Sequence, residues 1–94
     1  EEIIRKVSNL TKINEPDIVG KSRRAEIVEA RQISIYLCRD ILGSSLASIG
    51  MHFSGRDHTT VLHACKVIDK KKSKDKRISG IISDIKSELS IVLA

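Results

Sequence analysis

Ser54-Gly55-Arg56-Asp57-His58-Thr59-Thr60-Val61-Leu62-His63-Ala64-Cys65-Lys66 decides how this chain reads. It is a turn followed by an abrupt helix start. Ser54-Gly55 is turn chemistry, because glycine accepts positive φ without steric cost. Asp57 suits the cap of a helix, where its carboxylate meets free N–H groups and the positive end of the dipole. From there the apolar residues Val61, Cys65 and Ile68, with Leu62 and Ala64 alongside, keep one face of a 3.6-residue period. Thr59, His63, Lys66 and Lys70 fall on the other face. The expected helix thus has an oily back and a front of donors and cations. Short polar side chains of mixed donor and acceptor type crowd its first turn. A recognition helix needs that pattern to read base edges with its N-terminal end in a major groove.

The segments before this stretch fit the same reading. A helix is expected from about Ala25 to Leu42, with its apolar stripe at Ala30, Ile33, Leu37 and Ile41 and with Ile27, Tyr36 and Cys38 beside it. Gly43 is a good C-terminal stop. Ser44-Ser45 offers an N-cap for a short helix from Leu46 to about His52, with Leu46, Ile49 and Phe53 inward. Gly50 weakens that helix and permits close packing. Long helix, Gly-Ser turn, short helix, Ser-Gly turn and polar-fronted helix make a helix-turn-helix on a helical bundle.

Further out, Ile3, Ile4, Val7 and Leu10 mark a first helix, broken over Lys12 to Pro16. Asn14 and Pro16 predict a cap and an N1 proline for a short turn of helix around Asp17-Ile18-Val19, ended by Gly20. Lys21-Ser22-Arg23-Arg24 is a basic loop. Beside a DNA-binding helix, such a loop can lie along phosphates or enter a minor groove, where arginine is favoured by the negative potential. The basic run from Lys70 to Arg77 interrupts the chain before a last amphipathic helix with Ile78, Ile81, Ile82, Ile85, Leu89 and Val92 on one side. Alternating strands and internal repeats are absent, so the expected class is all-α, a small helical bundle.

Composition narrows the function. The 94 residues are enough for one domain, taken here as residues 1–94. The chain begins at Glu1 without a methionine, which suggests a fragment of a larger protein. Its net charge is +5 and its pI about 9.5, as expected for a polyanion partner. Residues 61–80 hold seven Lys or Arg against two Asp, and residues 21–40 hold five against three acids, so the surplus flanks the turn motif. Aromatics are only 2%, too few for RNA-binding sheets or for stacking platforms on single strands. Enzyme chemistry is not indicated. A Gly-x-x-x-x-Gly-Lys-Ser/Thr phosphate loop is missing. His58, His63 and Cys65 lack a second cluster to complete a zinc site. Cys38 and Cys65 both fall on apolar faces, as small hydrophobes do. No apolar run approaches the ~20 residues of a membrane span, and no signal peptide is present.

The run Gly55-Arg56-Asp57-His58-Thr59-Thr60-Val61-Leu62-His63-Ala64 resembles the signature of the C-terminal DNA-binding domain, domain IV, of the bacterial DnaA replication-initiator family. The similarity covers the chain and is strongest from Arg31-Gln32 to Ile68. It implies an all-helical, helix-turn-helix fold. It also implies binding to asymmetric TTATCCACA-type boxes in duplex DNA at the replication origin, for initiation and regulation of chromosomal replication. By the match, Asp57, His58, Thr59 and Thr60 enter the major groove, Ala47 lies near a thymine methyl and Arg23 is the minor-groove arginine. Lys21, Arg24, Arg31, Gln32, Arg39, Ser45, Leu46 (through its backbone N–H), His63 and Lys66 are the implied phosphate contacts, which set register rather than sequence. The domain itself would carry no cofactor or metal; ATP would bind a separate domain. Implied partners are duplex DNA, the other domains of the initiator and an acidic phospholipid surface, with the domain itself a monomer in the cytoplasm, associated with the nucleoid. Two departures from the family stand out. Ala47 replaces a common proline, and Ala25-Glu26-Ile27-Val28-Glu29-Ala30 carries two acids where some relatives are more basic. A helix-turn-helix regulator of another family, and a helical adaptor for a protein or an acidic membrane, are the competing readings.

Overall fold

A computed structural model describes residues 2–93, and side chains through residue 90, as six helices: α1 (Glu2–Thr11), α2 (Glu15–Val19), α3 (Ala25–Leu42), α4 (Leu46–His52), α5 (His58–Lys71) and α6 (Lys76–Leu93). Among the described residues there is no strand. The all-α bundle expected from the sequence is the observed architecture.

α3 is the axis. It packs against each of the other five helices. The single stripe expected for it is therefore too narrow. Ile33 and Leu37 are fully buried, but so are Ile35 and the hydroxyl-bearing Ser34, which lie off that line, while Ile41 is only partly covered. A helix that is covered on most sides needs apolar residues on most sides. Ser34 is tolerated because its Oγ donates to the Ala30 carbonyl one turn back, at 2.9 Å. Gly43 stops the helix in the left-handed region, at φ 64°; its N–H donates to the Arg39 carbonyl and the Ser44 N–H to that of Cys38.

The other elements close over α3. Ile3, Ile4 and Val7 of α1 are buried, whereas Leu10, counted with them, is 41% exposed at the end of the helix. In α2, Asn14 holds the cap position in extended backbone, but its side chain makes no capping bond, and Pro16 falls one place inside, after Glu15. α6 buries Ile78, Ile82, Ile85 and Leu89 against the core, with Ile81 partly covered; Val92 lies outside the described side chains. The basic run ahead of it is split by Asp75, whose carboxylate accepts from the N–H groups of Arg77 and Ile78 and so starts α6. Lys72, in the same run, donates to the Tyr36 hydroxyl at 2.8 Å and to Asp69, so it is tied to the bundle.

α4 and α5 form the helix-turn-helix. Ser45 caps α4 by accepting from the Ser48 N–H at 3.0 Å. Ile49 and Phe53 go into the core and Leu46 packs at its margin. The turn uses two left-handed residues, Ser54 at φ 65° and Gly55 at φ 70°. Gly50 is the point of closest approach: its carbonyl accepts from the Arg56 N–H at 2.9 Å, and a Cβ built on it would collide with the Arg56 carbonyl oxygen. Backbone cannot yield as a side-chain tip can. Gly50→Ala is therefore expected to destabilise the fold by about 1–3 kcal/mol. Each kcal/mol moves the melting midpoint of a domain this size by about 4–8 °C. A thermal melt followed by circular dichroism checks this, and an unchanged midpoint would mean the turn is looser than described.

Candidate nucleic-acid interface

The start of α5 is built by its cap. Asp57 sits in extended backbone and its carboxylate accepts from the Thr60 N–H at 2.9 Å. That bond leaves the side chains of His58, Thr59 and Thr60 exposed, together with Asp57 itself. One turn later the helix separates its faces. Val61, Ala64 and Ile68 are buried against α3 and α4, while His63, Lys66 and Lys70 are exposed. The amphipathic division expected from the sequence is present in narrower form: Leu62, counted with the apolar back, is 40% exposed, and Cys65 is only half-buried. The carboxyl of Asp57 is held below its ordinary value, first by the bond from the Thr60 backbone.

The basic loop, residues 21–24, lines a cavity together with the turn that leads into this helix. Lys21, Arg23 and Arg24 are exposed. Arg24 donates to Glu26 at 2.8 Å, so one of the two unusual acids at the start of α3 draws its charge sideways. The other, Glu29, accepts from Arg77 at 2.6 Å. Arg31 departs from expectation. The phosphate-contact role implied for it needs a displayed cation, but Arg31 is 6% exposed. Its Nε donates to the Ile18 carbonyl at 2.8 Å, Nη1 to Ser22 at 2.9 Å and Nη2 to Asp17 at 3.0 Å. The reason is its place on the face of α3 that α2 covers, where a guanidinium must find carbonyls.

Arg56 was not singled out by the sequence for any role. It donates to Phe53 in its own turn and to Gly20 across the chain, both at 2.6 Å, with a longer contact to Val19 at 3.4 Å. The Ser54 hydroxyl also donates to Val19, at 2.5 Å. These ties bring the basic loop and the turn before α5 together. Between them lies a cavity of about 340 Å³ lined by Lys21, Ser22, Arg23, Val28, Arg31, Ser54, Gly55 and Arg56, four cations without a carboxylate. A sequence signal for Arg56 exists only in retrospect: it sits between a left-handed turn and a helix cap, where the backbone is fixed at both ends.

The remaining candidates differ in exposure. Gln32 is partly buried next to Arg31. Arg39 is exposed, and its Nη1 donates to the Ser44 carbonyl at 2.8 Å. Ser45 and Ala47 are exposed and Leu46 is partly buried. Arg39 and Lys66 also border a groove of about 330 Å³ between α3 and α5, with Tyr36, Asp40, Cys65 and Asp69. Cys65 is half-buried there, and burial pushes its thiol up. Among the described residues no group of three or more His, Cys, Asp or Glu is placed to hold a metal ion, and no helix is long and apolar enough to cross a membrane.

A capped helix with an exposed polar first turn, packed on a short helix through a tight turn and flanked by a basic loop, defines a helix-turn-helix domain of the DNA-binding class. The family model described as bacterial dnaA protein helix-turn-helix matches residues 1–68, and the chain belongs to this family. Among similar proteins, the chromosomal replication initiator protein DnaA of Limosilactobacillus fermentum is 42% identical over 87 residues, 93% of this chain and 20% of the relative. That of Chlorobaculum tepidum is 39% identical over 92 residues, 98% of the chain and 19% of the relative. That of Rippkaea orientalis is 41% identical over 91 residues, 97% of the chain and 20% of the relative. The chain spans about a fifth of the length of these relatives.

The cap makes a pH prediction. A carboxyl whose folded pKa is lowered stabilises the fold above its unfolded value, and that stabilisation is lost as pH falls through the folded one. The start of α5 should hold at neutral pH and loosen only below the ordinary carboxylate range. The Thr60 amide resonance, followed by NMR during an acid titration, should move with a midpoint below that of an unperturbed aspartate. Asp57→Asn, which keeps a cap oxygen, should abolish this titration with the fold intact. A midpoint at the ordinary value would remove the cap bond from solution.

Proposed function

We propose that this chain binds duplex DNA sequence-specifically, at DnaA-box-type sites of a bacterial replication origin, as the DNA-binding part of a replication initiator. The observation that carries the reading is the exposed first turn of α5, held by the Asp57 cap and preceded by a turn that shares a cation-lined cavity with the basic loop. Membership of the dnaA helix-turn-helix family supports the target.

In this reading α5 enters the major groove with its N-terminal end. Asp57 keeps a second carboxylate oxygen that can accept from a cytosine amino group, and Thr59 and Thr60 can donate, accept or lay a methyl against that of thymine. His58 bonds as neutral imidazole or donates as imidazolium. Arg23 reaches the adjacent minor groove, and Ala47 offers a small apolar contact. Lys21, Arg24, Arg39, Ser45, the Leu46 N–H, His63 and Lys66 meet phosphates, with Gln32 at the margin of that surface. Arg31 acts behind this layer rather than in it. The box is asymmetric, so one copy of the domain suits one site.

Fluorescence anisotropy with a TTATCCACA duplex and a scrambled duplex, over a salt series, tests the proposal. Preference for the box that persists at physiological salt is the expected result; equal, steeply salt-dependent binding to both would sink it. Thr59→Ala should cost roughly 1–3 kcal/mol on the box and little on the scrambled duplex. Lys66→Ala should weaken both alike and lower the salt slope by about one. An unchanged slope would take Lys66 off the phosphate surface.

A further inference from the structure

Two arginines converge on one short stretch of backbone. Between them, Arg31 and Arg56 donate to the carbonyls of Asp17, Ile18, Gly20 and Ser22, and Arg56 and Ser54 both donate to that of Val19. Four consecutive carbonyls, and a fifth just beyond, thus point at guanidinium and hydroxyl donors from α3 and from the turn before α5. Arg31 comes from the bundle axis. Arg56 comes from the residue immediately before the Asp57 cap. The segment they grip runs directly into the basic loop.

We propose that Arg56, backed by Arg31, is a positioning residue that locks the basic loop to the start of α5, so that the two DNA-reading elements move as one body. The chemistry suits the task. A planar guanidinium presents several N–H donors in fixed directions, so it can hold carbonyls from two segments at once, which a lysine ammonium cannot do with the same geometry. Arg56 joins Phe53 to Gly20 in this way. Loop segments are otherwise the mobile part of a domain. A minor-groove arginine on a free loop would lose affinity to ordering on binding, whereas one on a locked loop is preorganised. Burial, and then the nearby charge of Arg56, lower the pKa of Arg31, which agrees with two guanidiniums lying close together behind the loop.

The first test needs no DNA. Amide hydrogen exchange of Arg56→Gln should show residues 19–24 opening about tenfold or more faster, while residues 61–68 of α5 keep their protection. Ser54→Ala, which removes the second tie with less disturbance to the fold, should show the same local pattern more weakly. Unchanged exchange at 19–24, or a uniform rise over the whole chain, would overturn the lock. The second test rests on the proposed DNA reading and uses the TTATCCACA duplex. Arg23→Ala should weaken binding about tenfold in the parent chain and hardly at all in Arg56→Gln, because a loosened loop has already lost what Arg23 supplies. Lys66→Ala should cost the same in both backgrounds. Additive losses for Arg56 and Arg23 would overturn the coupling. If the parent chain shows no preference for the box, the DNA reading fails, and the exchange result alone decides the lock.

Discussion

Burial of α3 on most of its sides is the constraint on which the structure depends. With α1, α2, α4, α5 and α6 all packed on it, α3 has little surface left for water. Ile33 and Leu37 share one side of the helix and Ile35 lies on the other, and all three are buried. Removing a fully buried side chain of this size leaves a cavity that neighbours fill only in part, at about 2–5 kcal/mol for a change to alanine. Any polar residue that α3 carries on a covered side must find a partner within the protein. Ser34 finds one on its own helix, and Arg31 finds three on the neighbouring chain segment. The shape of the basic loop follows from that need: the carbonyls of Asp17, Ile18 and Ser22 turn toward Arg31 of α3, and the side chains of Lys21, Arg23 and Arg24 are left outward.

The same economy of backbone contacts governs the helix-turn-helix. α4 and the backbone of Arg56, in the turn before α5, approach so closely that only glycine fits at position 50. The turn between α4 and α5 then has no length to spare, and Ser54 and Gly55 take left-handed backbone to reverse the chain. Asp57 begins α5 at once by capping it. Short turn, close approach and immediate cap leave the first turn of α5 protruding with its side chains free of the bundle. The ion pairs elsewhere, Lys6 with Glu88 and Lys86 with Asp40 among them, join exposed groups across helices and add little to stability.

Much of this was legible in the chain because it is local. Helix periodicity located α3, α4, α5 and α6, and Gly43, Ser45 and Asp57 marked boundaries where the structure has them, since caps act within four residues of their own position. The exposed front of α5 was legible for the same reason. Arg31 took its phosphate role from the family match, and nothing local in the sequence says that its guanidinium is turned to the carbonyls around α2. Arg56 was passed over because its partners lie up to 37 residues away. The cap by Asp75 was hidden in a run of lysines, where charge drew attention from the single acid. Leu10 shares its helical face with buried residues but lies near the end of α1, 41% exposed beside an open cavity.

The sequence by itself determined the class of fold, the position of the helix-turn-helix and the family to which the chain belongs, because periodicity, caps and a ten-residue signature are properties of neighbours along the chain. Only the tertiary structure decided which cations face outward and which hold the molecule together. An arginine has the same local signature in either role. Whether its donors meet solvent or carbonyls depends on which segments, distant in sequence, the buried axis of α3 brings beside it.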